Sequence, residues 1–158
     1  MDVARIPGVR RLERQQTLPA APETVFPFFA DALNLERITP PWLGFRVLGG
    51  GPIAMGPGTL IEYRLRLHRV PVRWLTRIEA WEPPHRFVDA QVRGPYRVWR
   101  HEHSFEPVPG GGTLMRDRVD YDLPLGPLGA AAHALFVRRD LARIFDFRRD
   151  SVASYFIK

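Results

Sequence analysis

From Phe45 to Leu123 the chain alternates apolar and polar residues with a period of two, interrupted only by short turns. In "TLIEYRLRLHRV", for example, Ile61, Tyr63, Leu65 and Leu67 oppose Glu62, Arg64, Arg66 and His68. Successive side chains of a strand point to opposite faces, so this pattern describes strands with one apolar and one polar side. "PVRWLTRIEAWE", "RFVDAQVR", "RVWRHEHSFEP" and "TLMRDRVDYDL" follow, with "PPH", "GPY" and "PVPGGG" at their three junctions. Connections this short join antiparallel neighbours, because a parallel crossover needs a dozen or more residues. With "FRVLGG" in front, six strands make a meander, and "VRRLERQQTL" (9–18) supplies a seventh ahead of it.

A sheet that is apolar on one face has to be covered. Before the meander, "PAAPETVFPFFADALNLERITPPWL" changes period. Pro22 suits the first turn of a helix, Glu23 suits the positive end of its dipole, and Val25, Phe26, Phe28 and Phe29 give it an apolar side. A second short helix, about "ALNLERI", stops before "TPP". After the meander, "GPLGAAAHALFVRRDLARIFDFRRDSVASYF" reads as one long helix. Ala134, Val137, Leu141, Ile144 and Phe145 recur at helical spacing, with Arg139, Arg143, Asp146 and Asp150 as polar positions. This order predicts an α+β fold over a single domain, 1–158. A curved antiparallel sheet of about seven strands wraps round the C-terminal helix, and two short helices follow the first strand.

Composition removes several function classes. The chain has no cysteine, so thiol catalysis, disulfides and thiolate metal sites are excluded. It shows neither a signal-peptide pattern nor an apolar run long enough to span a bilayer, so a cytoplasmic protein without membrane insertion is expected. The net charge of +6 raises nucleic acid as a partner. However, the basic residues are arginines scattered along the chain with a single lysine at the end, which fits a compositional habit better than a phosphate-binding surface. No nucleic acid is expected.

The chemistry concentrates in residues 97–107. There Trp99, His101, His103 and Phe105 share one face, and Arg100, Glu102, Ser104 and Glu106 the other. A water-facing surface would not carry Trp and Phe, and a plain core would not carry two histidines. The mixture fits an apolar wall that holds a few polar groups. The "PVPGGG" turn sets Phe105 opposite Met115, His103 opposite Asp117, His101 opposite Val119 and Trp99 opposite Tyr121. A carboxylate beside an imidazole favours its protonated form. His103 and Asp117 are therefore candidates for proton transfer, for orienting a ligand, or for a mutually satisfied buried pair. The "GPY" loop would place Gln91 opposite Trp99 and Asp89 opposite His101, on the same side. A single bulge would instead turn Val88, Ala90 and Val92 inward, and the first arrangement is preferred. His101 and His103 with Asp117 also offer the donors of a two-histidine, one-carboxylate metal site, but an isolated His-x-His arises often by chance and no metal is expected. Asn34, Glu36 and Trp42 fall in the short-helix region.

The element order, together with "LNLERITPPWLGF", "RGPYRVWRHEHSFEP" and "GTLMRDRVDYDLPLGPLG", resembles the START-related helix-grip superfamily, SRPBCC, to which the birch-pollen allergen fold and polyketide cyclases belong. Within it the chain looks most like the bacterial ligand-binding SRPBCC domain proteins. The resemblance implies a deep cavity between the concave sheet and the long helix, open near the two short helices, with no cofactor and no metal. It would hold a small, mostly hydrophobic molecule, lipid-like or aromatic. Tyr63, Trp74, Asp89, Gln91 and Trp99 are expected around it, along with His101, His103, Met115, Asp117 and Tyr121. An enzyme of the cyclase, dehydratase or hydrolase kind, using His103 and Asp117, is the alternative. An interaction surface made by Arg64, Arg66, Arg73 and Arg77 is a third reading. No nucleophile with its own base stands out, so binding ranks above catalysis, in a monomer or homodimer.

Overall fold

In a computed structural model, which describes residues 2–50 and 52–157, the alternating segments form one antiparallel sheet. Its strands are β1 (Arg10–Leu18), β2 (Arg46–Val47), β3 (Leu60–Leu67), β4 (Val70–Glu82), β5 (Arg86–Arg93), β6 (Val98–Pro107) and β7 (Thr113–Asp122). Their spatial order is β1-β7-β6-β5-β4-β3-β2, so the meander is kept and the first strand docks beside the last. Buried charge secures that junction. Arg11 donates from Nε and Nη2 to the two oxygens of buried Asp120, at 2.7 and 3.1 Å. At the end of β7, Asp122 accepts from Arg97 and lies 3.6 Å from Arg10.

Helix α1 (Pro22–Ala30) starts at the proline, and a 3-10 turn (Ala32–Asn34) leads into α2 (Leu35–Ile38). At the C-terminus α3 (Gly126–Ala132), a π-helical turn (His133–Val137) and α4 (Arg138–Phe156) form one helical segment, 126–156. The sheet and the helices close on three apolar clusters. Leu18, Val25, Phe105, Met115 and Val152 belong to the first, in which Phe26 meets Trp81, Phe87 and Phe105 edge-on at 5.1, 5.8 and 5.4 Å. The second joins Ile61, Tyr63, Leu65, Trp74 and Ile78. The third brings Val119 and Tyr121 against Leu141 and Phe145 of α4, which is how the helix is held along the sheet.

Two boundaries differ from the sequence reading. The alternation of "TLIEYRLRLHRV" runs on to Val70, but the chain turns at His68 and Arg69, and Val70 already pairs with Leu67 in β4. Both turn residues have positive φ, 48° and 68°, as a two-residue hairpin turn requires. Neither is the Gly or Asn that usually signals such a turn, so the sequence hides it. The strand expected at "FRVLGG" shrinks to two residues, because Gly49 and Gly50, with φ of 96° and 51°, lead the chain away from the sheet edge. The outer sheet face is laced with ion pairs, among them Arg73–Glu62, Arg100–Glu79 and Arg118–Glu13. Much of the arginine charge there is compensated within the sheet.

Candidate functional site

Between the sheet, the short helices and α4 lies a cavity of about 160 Å³. That is room for on the order of ten water-sized positions. Its walls are mainly apolar: Ile61, Leu65 and Ile78 from the sheet, Leu35 and Ile38 from α2, and Leu141 and Phe145 from α4. On one side Trp74, Tyr96 and Trp99 form an aromatic corner, with ring centroids 4.7 to 5.6 Å apart. On the other stands a polar cluster.

The cluster is built by register. His103 pairs with Asp117 across β6 and β7, and Asp89 sits opposite His101 across β5 and β6. The side chains then connect diagonally. His101 Nε2 lies 2.8 Å from Asp117 Oδ1, and His103 Nε2 lies 2.7 Å from Asp89 Oδ2. His103 Nδ1 faces Asp117 Oδ1 at 3.2 Å, so both of its ring nitrogens meet carboxylates. The imidazole of His103 is stacked between Phe87, at 4.0 Å, and His101, at 3.7 Å. Arg148 of α4 completes the group. Its guanidinium is 3.9 Å from Asp117 and 3.4 Å from His103 Nδ1, and it lies over the Phe29 ring at 5.6 Å.

Burial and charge set opposite states on the two histidines. Burial alone would push His103 down, but the hydrogen bonds to Asp117 and Asp89 outweigh it and raise its pKa. For His101, burial and the neighbouring His103 charge win over Asp117 and depress it to about 4. Burial works against ionised Asp117, yet Arg148 and the two histidines hold it well below the usual carboxylate range. Asp89 is lowered for the same kind of reason, against its burial, chiefly by the bond to His103. At about pH 6, below the raised pKa of His103 and above the depressed one of His101, the cluster therefore holds two anions, Asp89 and Asp117, and two cations, His103 and Arg148, around a neutral His101.

Of the residues expected from the sequence, Tyr63, Trp74, Asp89, Trp99, His101 and His103 line the cavity. Asp117 supports both imidazoles without lining it. Gln91 does not line it either, because its side chain bonds the backbone of Tyr96 twice and closes the β5–β6 turn. Met115 packs in the cluster of Leu18 and Phe105, and the Tyr121 hydroxyl turns to His133 at 2.7 Å, so neither belongs to the lining. Asp89 faces inward opposite Ile78 and His101, and an extra residue in β4 between Ile78 and Ala80 leaves Val88 on the opposite side between Ala80 and Glu102. Asn34 and Glu36 hold the short helices through Phe28 O and Val47 N, and Trp42 rests on Phe147 and Arg143.

Among the described residues, Asp89, His101 and His103, rather than His101, His103 and Asp117, are the three potential ligand groups that lie close enough to share a cation. His103 Nε2 and the Asp89 carboxylate already satisfy each other, and the Arg148 guanidinium beside them opposes a further positive charge. These residues fit a metal poorly.

The fold agrees with the comparisons. Residues 9–156 match the family described as Polyketide cyclase / dehydrase and lipid transport. The chain belongs to this family and is an SRPBCC domain. Similar solved structures include TTHA0849 of Thermus thermophilus, which is 20% identical with a TM-score of 0.69 over 94% of this chain and 97% of that one. A START superfamily protein from Mycobacterium smegmatis is 11% identical, with a TM-score of 0.68 over 92% and 96% of the two chains. The Zhui aromatase/cyclase from Streptomyces sp. R1128 is 16% identical, with a TM-score of 0.65 over 90% and 93%. No curated protein matches the sequence.

The sequence reading of this SRPBCC domain missed Arg148. The signal was present: Arg148 follows Ile144 by four residues and Phe145 by three, on the stripe that buries Leu141, Phe145 and Val152. An arginine on the buried stripe of a helix needs an anion or a cavity.

The two histidines predict the shape of the stability curve. Between pH 6.5 and about 4 the unfolded chain binds a proton that native His101 refuses, so stability falls with acid by roughly 3 kcal/mol from this group. Below that range the depressed carboxylates add further loss as they protonate. The contribution of His103 is complete below its unfolded pKa and is lost as pH rises through its raised native value. Chemical denaturation across pH should show a maximum near about pH 6.5. His101→Gln should flatten the acid limb by about one proton, leaving the smaller share of His133, whose pKa burial also lowers. An unchanged acid limb in that variant would contradict the assignment.

Proposed function

We propose that this domain binds a small, mostly apolar molecule, aromatic or single-chained, whose oxygen atoms meet the polar side of the cavity. The observation that carries this reading is a pair of unmatched donors in an apolar enclosure. Trp74 Nε1 and Arg148 Nε are buried without a hydrogen-bond partner among the described residues, and both side chains belong to the cavity wall. A buried donor left unpaired costs about 1–3 kcal/mol, which an acceptor recovers once a small side-chain rotation turns the N–H towards the cavity. The aromatic corner favours a flat, apolar body, and the charge-balanced cluster favours a neutral polar end over a bare ion.

A second reading, catalysis of the cyclase or dehydratase kind, rests on His101 more than on His103. With Nε2 bonded to Asp117, His101 is neutral and its Nδ1 makes no hydrogen bond among the described residues. A neutral imidazole oriented by a carboxylate can accept a proton as a general base, a weak one here unless ligand binding raises its pKa from about 4. His103, gripped by two carboxylates, is a poorer proton acceptor.

Native mass spectrometry of the purified protein should reveal a retained small molecule, or binding of an added hydroxylated aromatic probe such as a naphthol. Trp74→Phe keeps one aromatic ring and removes the unmatched N–H with the rest of the indole. It should weaken binding about three- to tenfold, while the relief of the unpaired donor partly offsets the cost of the vacated volume in the empty protein. Failure to bind any apolar probe would overturn the proposal, and so would a variant that loses stability without losing affinity. Asp117→Asn separates the two readings once the ligand is known. A carrier changes affinity by about 0.5–3 kcal/mol, whereas an enzyme loses roughly two to four orders of magnitude in turnover with little change in binding.

A further inference from the structure

The 123–137 segment, "LPLGPLGAAAHALFV", contains no charged residue, yet most of it faces outward. Leu128, Leu135 and Phe136 are 73, 69 and 56% exposed, and Leu125 precedes them at 75%. This is an inverted arrangement. The one polar side chain of the segment, His133, is buried against the Tyr121 hydroxyl, and Gly129 sits one turn before it where a Cβ would strike the carbonyl of Pro124. The inner face is thus already anchored, and the leucines on the other face have nothing to cover in the fold.

The patch continues across a gap in the chain. Phe136 lies beside His68 at 6.1 Å, and His68 Nε2 meets Asp140 Oδ2 at 2.5 Å, so the β3–β4 hairpin tip with exposed Val70 joins the same surface. Arg69, Arg138 and Arg139 are exposed around it and form no ion pair among the described residues. Arg64, Arg66 and Arg77 of the sheet likewise form no ion pair among the described residues, but only at this rim do the free arginines border exposed leucines and a phenylalanine on one helix.

We propose that this surface, the outer face of the helix from Leu125 to Arg139 together with the hairpin tip, docks the domain on an anionic lipid bilayer. Apolar side chains ringed by arginines match a membrane interface, where hydrocarbon lies beneath negatively charged headgroups. A second copy of the chain is the weaker occupant, because a two-fold contact would bring the arginine rims together. The surface also adjoins the cavity. Leu67, just before the hairpin turn, and Leu141, just after Asp140, both line it. Docking would therefore bring this part of the cavity wall, behind the His68–Asp140 contact, close to the bilayer. Docking itself rests on exposure and charge, independently of what the cavity holds.

The test is flotation of the full chain with vesicles of phosphatidylcholine containing about a third phosphatidylglycerol, against phosphatidylcholine alone, at low and moderate salt. Binding to the anionic vesicles is expected. It should fall about tenfold or more on phosphatidylcholine, in the variant L128Q/L135Q/F136Q, and in R69E/R138E/R139E. The first variant changes only exposed side chains, so its melting temperature and its binding of a cavity probe should match the parent. A parent that does not float with anionic vesicles, or variants that float equally well, would overturn the proposal. Sedimentation showing a dimer that L128Q/L135Q/F136Q dissociates would overturn it too, by assigning the face to a second copy. Loss of probe binding with docking retained would instead count only against the cavity reading.

Discussion

The cavity wall depends on one imidazole held between two carboxylates. His103 meets Asp89 through Nε2 and Asp117 through Nδ1, and it is fully enclosed between the rings of Phe87 and His101. Two buried carboxylates without such a partner would repel each other and protonate. With His103 charged and Arg148 beside Asp117, the group sums to no net charge, and an otherwise apolar enclosure can keep it. The cluster also ties strands β5, β6 and β7 to α4, so the feature that makes the cavity polar on one side also fixes its depth.

The surfaces differ in another way. On the outer sheet face some arginines meet glutamates, while Arg64, Arg66 and Arg77 form no ion pair among the described residues. At the beginning of the C-terminal helix the pattern reverses, with apolar side chains outside and the polar one inside. A helix covering a sheet normally turns its leucines inward. Here the inward positions from Leu141 onward line or close the cavity, while those before it anchor the helix start through small or polar contacts. The protein thus presents an apolar interior and, separately, an apolar exterior near the cavity wall at Leu67 and Leu141.

Much of this is legible in the sequence because strand periodicity is strict. The alternation of residues 97–107 and the "PVPGGG" turn together fix the pairing of Phe105 with Met115, His103 with Asp117 and Trp99 with Tyr121, which the structure shows. What sequence leaves open is anything that depends on a diagonal contact or an irregularity. That His101, rather than His103 alone, shares Asp117 follows from side-chain rotation after pairing. Gln91 shares the inward face, yet it bends back to the Tyr96 backbone because the turn needs its bonds. The hairpin turn at His68 and Arg69 carries no glycine, and Arg148 is separated from the rest of the cluster by more than thirty residues of chain, a proximity that only the packed helix creates.

The opposite charge states of the two histidines underlie both the cavity's polar wall and its neutrality, and nitrogen-15 NMR of the histidine side chains at about pH 6 tests them most directly. His103 should show two protonated ring nitrogens, an imidazolium, while His101, with its pKa near 4, shows one protonated nitrogen and one bare. A neutral His103, or a His101 that is doubly protonated at that pH, would contradict the balanced cluster and the orientation of the cavity's polar wall built on it.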